Sequence, residues 1–159
     1  MNPVDLEVIQ RKLTSMSENL ELLRPIAELS FRQYQERVYY KKAAERLLQT
    51  IIEAAIDINN HLLVGSGFPA AEDSYQSFLD VAQKVGALDL ALAEELAPSA
   101  GLRNRLVHEY ERLDDAIVFT SVRRILDQYP RYMEAVLQYT AALEKSNAGD
   151  ETSPRVAKT

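Results

Sequence analysis

No cysteine occurs among the 159 residues. That removes disulfides, thiol nucleophiles and Cys-ligated zinc together. Histidine is almost as scarce. His61 and His108 are the only two, too few for a His-rich metal site, so neither a metal nor a cofactor is expected. Breakers are few as well: five Gly and six Pro, with Pro3 and Pro154 close to the ends. Long regular elements are therefore expected. No run of about 18 apolar residues is present, so no segment is expected to span a membrane. The opening string MNPVDLEVIQRKL places acids where a signal peptide has its basic segment. With the lack of cysteine, this makes a cytoplasmic location the expectation.

Apolar residues make up 47% of the chain, enough for one core in one domain. Their spacing is helical. Leu6, Ile9, Leu13, Met16, Leu20 and Leu23 step by three or four. Asn2 and Pro3 suit an N-cap and first-turn pair ahead of this stripe, and Pro25 suits its end or a bend. The stretch 26–38 is compatible with helix but less regular. The strongest segment is 39–63, where Ala43, Ala44, Leu47, Leu48, Ile51, Ile52, Ala55, Ile56 and Leu62 build a wide apolar face without interruption. Gly65 to Pro69 is a loop by its turn chemistry. Ser74 to Val85 reads as a shorter helix stopped by Gly86. Leu88 to Leu96 and Ser99 to Tyr110 are two helical pieces separated by Pro98. Asp114 is placed to cap a last helix with Ile117, Val118, Val122, Ile125, Leu126, Met133, Val136, Leu137 and Ala141 inside, and Pro130 within it. No segment alternates as a strand does. The expected fold is all-α: a single-domain antiparallel helix bundle over 1–145 with short accessory helices. The polar, aperiodic stretch 146–159 is expected to be a disordered tail.

The formal net charge is −6, which argues against a nucleic-acid partner only if it is evenly spread. It is not. Residues 69–98 carry −5, whereas residues 24–46 carry +3 and residues 103–131 carry +1. Basic surface on an acidic protein is thus possible, and local field is what a phosphate backbone meets. Tyr39, Tyr40, Lys41 and Lys42 interleave aromatics with bases in the positive stretch, a pattern that suits RNA but also suits a solvated helix face.

One string carries chemistry: Gly101-Leu102-Arg103-Asn104-Arg105-Leu106-Val107-His108-Glu109-Tyr110. Histidine moves protons near neutral pH. Arginine keeps its charge and grips phosphate oxygens in bidentate fashion. Together they suffice for metal-free cleavage of RNA. His108 would activate the 2′-OH or protonate the leaving oxygen, and Arg103 would stabilise charge at the transition state. RNA is the required substrate class, because the 2′-OH is the internal nucleophile.

The spacing Arg103-x4-His108-x-Tyr110 resembles the R-x4-H-x-Y motif of HepT proteins in the HEPN superfamily. The strings EAAIDINNHLL, SYQSFLDVAQKVGAL and RLVHEY, in that order, resemble HepT chains too, so the likeness covers roughly residues 40 to 140. The resemblance implies a helical, dimeric, metal-independent ribonuclease toxin, with two motifs meeting in a shared cleft of the homodimer. It implies a nucleotidyltransferase antitoxin of the MntA type as partner, which transfers AMP from ATP to the motif tyrosine, here Tyr110. AMP there would add bulk and negative charge where RNA must bind. An antitoxin acting by binding rather than modification is the second possibility within the family. A non-catalytic HEPN module that docks a nucleotidyltransferase is the alternative outside it. Transfer RNA ends or loops and messenger RNA are equally open as targets.

At about 100° per residue, Arg103 and Tyr110 share a helix face, whereas Arg103 and His108 lie about 140° apart. Three arrangements follow. Asn104 orients His108 while Arg103 reaches around; the helix ends before His108; or Arg103 of one subunit meets His108 of the other. Arg105 suits an RNA phosphate or plain solvent. Asp57, Asn59, Asn60 and His61 form a polar cluster. It reads first as a C-terminal turn, and second as a source of a residue, Asp57 or Asn59, that orients Arg103 or His108.

Overall fold

The computed structural model describes residues 4–152. The side chains of Tyr110 and of 150–152 fall outside that description. The described residues form seven α-helices, one π turn and one 3-10 turn, without a strand.

Helix α1 (Leu6–Ala27) buries Ile9, Leu13, Met16, Leu20, Leu23 and Ile26 along one stripe. Its cap is Asp5, whose carboxylate accepts from the Glu7 and Val8 N–H groups at 3.1 and 3.3 Å. The expected cap, Asn2 before Pro3, lies outside the described residues. Pro25 sits in the last turn, where the helix is about to end anyway. A capping box then opens α2 (Phe31–Glu36). Gln33 N–H donates to Ser30 Oγ at 3.1 Å, and Ser30 N–H donates to Gln33 Oε1 at 2.9 Å.

Helix α3 (Val38–Gly65) is the spine, packed on α1, α6 and α7. Helix α4 (Ser74–Asp80) runs into a π turn over Val81–Val85. Gly86 stops it as expected, at φ 79°, a left-handed conformation that costs a side-chain-bearing residue strain. Short α5 (Leu90–Leu96) and α6 (Ser99–His108) follow, then a 3-10 turn over Tyr110–Arg112. Helix α7 (Asp115–Thr152) completes the fold, capped by Asp114, which accepts from the Ala116 N–H at 2.9 Å. It passes through Pro130 and runs beyond Ser146, where loss of periodicity suggested a tail. Propensity carries a helix past the point where its core contacts stop. Residues 153–159 lie outside the described residues.

Helices α1, α3, α6 and α7 alternate in direction. Asp5 N–H donates to His61 Nε2 at 3.0 Å and Lys12 pairs with Asp57 at 3.3 Å, so the start of α1 lies beside the end of α3. Helix α6 runs back, from Ser99 beside Tyr129 to Leu102 and Arg105 beside Ile117 and Val118. Helices α3 and α7 therefore share a direction. Their starts are joined by Lys41 and Asp115 at 3.0 Å, and their middles by Tyr132 and Asn59 at 2.7 Å. Gly65 is where α3 passes the start of the described chain. A Cβ there would lie 2.9 Å from Val4 Cα, so only glycine fits without a shift. No helix among the described residues is long and apolar enough to cross a membrane.

The core differs from the sequence expectation in α7: Ile117, Leu137 and Ala141 are exposed, while Tyr129 and Tyr132 are fully buried. The hydroxyls of Tyr129 and Tyr132 each have a partner. Ser99 Oγ donates to the Leu96 carbonyl at 2.6 Å and lies 2.6 Å from Tyr129 Oη. Tyr132 Oη donates to Asn59 Oδ1 and lies 3.1 Å from the Ala55 carbonyl. Burial pushes both phenols upward from their ordinary value.

Candidate active site

Helix α6 carries the string singled out by its chemistry. Ala100 and Leu106 face the core, and Leu102 and Arg103 are half-buried. Asn104, Arg105 and His108 are exposed. This division follows from the phase of one helix: a single buried stripe fixes which residues can meet solvent.

Arg103 is held at two of its edges. Its Nε donates to Glu53 Oε1 at 3.2 Å, and its Nη1 donates to Asn104 Oδ1 at 3.3 Å. Glu53 comes from α3, and its Oε1 also accepts from Gln49 Nε2 at 3.0 Å. A guanidinium has five N–H bonds, so three of Arg103's have no partner among the described residues. The group is fixed in place and still able to receive an anion. The pair is partly exposed, with side-chain accessibilities of 28% and 33%. It therefore adds at most about 1 kcal/mol to stability, and its significance is positional.

His108 is the last residue of α6. Glu109 ends the helix by donating its N–H to the Arg105 carbonyl at 2.8 Å. The imidazole has no hydrogen-bond or ion-pair partner among the described residues. It opens on a surface depression lined also by Glu109, Glu111 and Arg112. The helix is regular through His108, which removes the arrangement in which it ends earlier. Arg103 and His108 make no hydrogen bond to each other within the chain. Asn104 serves Arg103 rather than the imidazole. Arg105 makes no ion pair among the described residues and lines a second depression with Leu102, Arg112 and Ile117. The backbone of Tyr110 begins the 3-10 turn. Its side chain lies outside the described residues.

Two expected supporting residues belong elsewhere. Asp57 faces α1, pairing with Lys12, and is 60% exposed. Asn59 is fully buried, holding Tyr132 and donating to Ser77 Oγ at 3.2 Å. Neither meets Arg103 or His108. The rest of the polar cluster is structural too. Asn60 Oδ1 accepts from the Ala71 N–H at 3.0 Å, and His61 receives the Asp5 N–H. The acid that does meet Arg103 is Glu53, which sequence reasoning missed. Its one signal was being an acid between Ile52 and Ala54 in an apolar face. No group of three His, Cys, Asp or Glu side chains able to hold a metal occurs among the described residues.

An arginine fixed by a carboxylate of α3 is able to receive a phosphate, and a free imidazole on the same helix is able to transfer protons, both on an all-helical frame. A family model described as ribonuclease HepT-like matches residues 16–136. The chain belongs to that family. It is 35% identical over 147 residues to the tRNA nuclease HepT of Aphanizomenon flos-aquae, covering 92% of this chain and 99% of that protein. It is 32% identical over 89 residues to the mRNA nuclease HepT of Shewanella oneidensis, 56% of this chain and 66% of that one. The solved structure of the tri-AMPylated HEPN toxin of Shewanella oneidensis, in complex with MNT antitoxin, matches with a TM-score of 0.72 at 25% identity. That match covers 82% of this chain and 97% of the toxin chain.

Proposed function

We propose that this chain is a metal-independent endoribonuclease toxin of the cytoplasm, acting as a homodimer, with Arg103 and His108 as its catalytic residues. The observation that carries this reading is the arrangement on α6. His108 ends the helix with a free, exposed ring, and Arg103 is held by Glu53 with three N–H bonds open. The reaction balances without a further reagent. The 2′-OH gives up its proton, its oxygen forms a bond to phosphorus, and the bond from phosphorus to the 5′ oxygen breaks. That oxygen takes a proton, leaving a 2′,3′-cyclic phosphate and a free 5′-OH. His108 moves one of these protons, and Arg103 holds the phosphoryl oxygens as charge builds on them. Transfer RNA is the target favoured here, because the relative with that activity matches over almost the whole chain.

The test is incubation with total cellular RNA in EDTA. Fragments ending in cyclic phosphate are expected, and a substrate with a 2′-deoxy sugar at the cut should resist. Cleavage that EDTA abolishes, or that ignores the 2′-OH, overturns the reading.

The same proposal makes a nucleotidyltransferase of the MntA type the partner and Tyr110 its target. Tyr110 follows His108 by two residues, and a nucleotide attached to it would add negative charge that repels phosphate. With ATP and the nucleotidyltransferase, the mass of one or more AMP groups should appear on the peptide containing Tyr110 and cleavage should stop. A Tyr110→Phe protein should keep cutting. Silencing of that variant through ATP would place the modification elsewhere.

A further inference from the structure

The positive stretch near the start of α3 lies at the same end of the bundle as His108. Asp115 opens α7 seven residues after His108 and holds Lys41 at 3.0 Å. Seven residues span at most about 25 Å. Tyr39 and Tyr40 directly precede Lys41 in the first turn of α3. Tyr39 is 92% exposed, far more than any other large apolar or aromatic residue described. Tyr40 is partly exposed, with the Arg37 guanidinium 5.6 Å from its ring centre. Arg37, Arg46, Arg105 and Arg112 make no ion pair among the described residues. The last two line the depression that joins α6 to the start of α7.

We propose that Tyr39, Tyr40 and Arg37, with Lys42 beside them, form a stacking platform for single-stranded RNA, set apart from the cleavage site and continuous with it through Arg105 and Arg112. The inference rests on the ribonuclease reading for its substrate but not for its measurement. Three features carry it. Two of the six bases in residues 24–46 pair with acids outside the stretch, Arg24 with Glu21 and Lys41 with Asp115, but Arg37 and Arg46 make no ion pair among the described residues and are left to meet a polyanion. Tyr39 presents an aromatic face that nothing in the chain covers, and a nucleobase stacks on such a ring whatever its sequence. The Arg37 and Tyr40 pair offers a guanidinium plane beside a second ring. A strand laid from this platform past Arg112 reaches His108. Substrate choice would then depend on an unpaired segment flanking the cut.

The test uses the His108→Ala protein, so that binding is read without cleavage. A labelled single-stranded RNA oligonucleotide is titrated and its anisotropy followed. Tyr39→Ala should weaken binding roughly tenfold or more, whereas Tyr39→Phe should bind as the parent does, because stacking needs the ring and not the hydroxyl. Loss of Arg37 and of Lys42 should flatten the dependence of log K on log salt by about 0.7 for each phosphate released. Lys12→Ala, at the far end of α1, should change neither quantity. Equal affinity for parent and Tyr39→Ala overturns the proposal. So does a change in oligomeric state on Tyr39→Ala without a change in affinity, since the exposed ring would then cover a second copy of this chain. If the parent cuts no RNA but the Tyr39 series behaves as stated, the ribonuclease reading fails and the platform stands.

Discussion

Replacing His108 with alanine is expected to lower the rate of RNA cleavage by roughly a hundredfold to ten-thousandfold, the usual contribution of a positioned proton-transfer group. Folding should be unaffected, because the imidazole is exposed and has no hydrogen-bond partner among the described residues. Arg103→Ala should cost about a hundredfold to a thousandfold. Arg103→Lys should recover little, since an ammonium cannot hold Glu53 and a phosphate with one planar fork. Glu53 separates position from charge. Glu53→Gln keeps an oxygen for Arg103 but removes an anion from a site that must receive one. Its kcat should fall about tenfold, or about 1.4 kcal/mol in barrier, as Arg103 loses its fixed geometry. Its KM should hold steady or fall, because a repulsive charge has gone. Steady-state kinetics on one short RNA measures both. A KM that rises with kcat unchanged would show that Glu53 does not act through Arg103. A His108→Ala protein that still cuts at the parent rate would remove His108 from the mechanism.

The frame of this site was readable in the sequence, and its support was not. Ile9, Leu13, Met16, Leu20 and Leu23 are buried where their spacing puts them, because one amphipathic stripe has one way to face a core. Gly86 stops its helix and Asp114 caps the next, both by local chemistry. Arg103 and His108 stand on one helix, a consequence of sequence neighbourhood alone. Which acid meets Arg103 is a different kind of fact. Glu53 and Asp57 are one turn apart on α3. The first meets α6 and the second meets α1. Spacing within a helix does not specify that. Asn59 shows the converse. It falls in phase with Ala55 and Leu62, so its side chain enters the core and must find its partners there. Tyr129 and Tyr132 take core positions in α7 that apolar counting passed over. Their hydroxyls are tolerated only because Ser99 and Asn59 lie opposite.

That last pairing makes the strongest stability prediction. Tyr132→Phe keeps the ring against Phe78 and Tyr129 and removes only the donor to Asn59. Asn59 Oδ1 is then left buried and unpaired, at a cost of about 1–3 kcal/mol. For a chain of this length, that is a fall of roughly 2–12 °C in Tm. Asn59→Ala should cost at least as much, because it adds a cavity and leaves the Tyr132 hydroxyl with only its longer contact to the Ala55 carbonyl. The double variant should cost less than the two singles added together, by about 1–2 kcal/mol, since it removes both members of one bond. Thermal unfolding of all four proteins measures the cycle. Strict additivity would mean that the two groups do not depend on each other. High pH probes the same region. Burial raises Tyr34, Tyr129 and Tyr132 above the ordinary 10.0, so below pH 10 each is protonated whether the chain is folded or not. Above it the unfolded chain releases protons that the folded core retains. Stability should therefore fall as pH rises past about 10, and Tyr132→Phe should reduce that fall even while it lowers stability at neutral pH. The hydroxyl that holds Asn59 at pH 7 is the one whose ionisation opposes the folded state at pH 11.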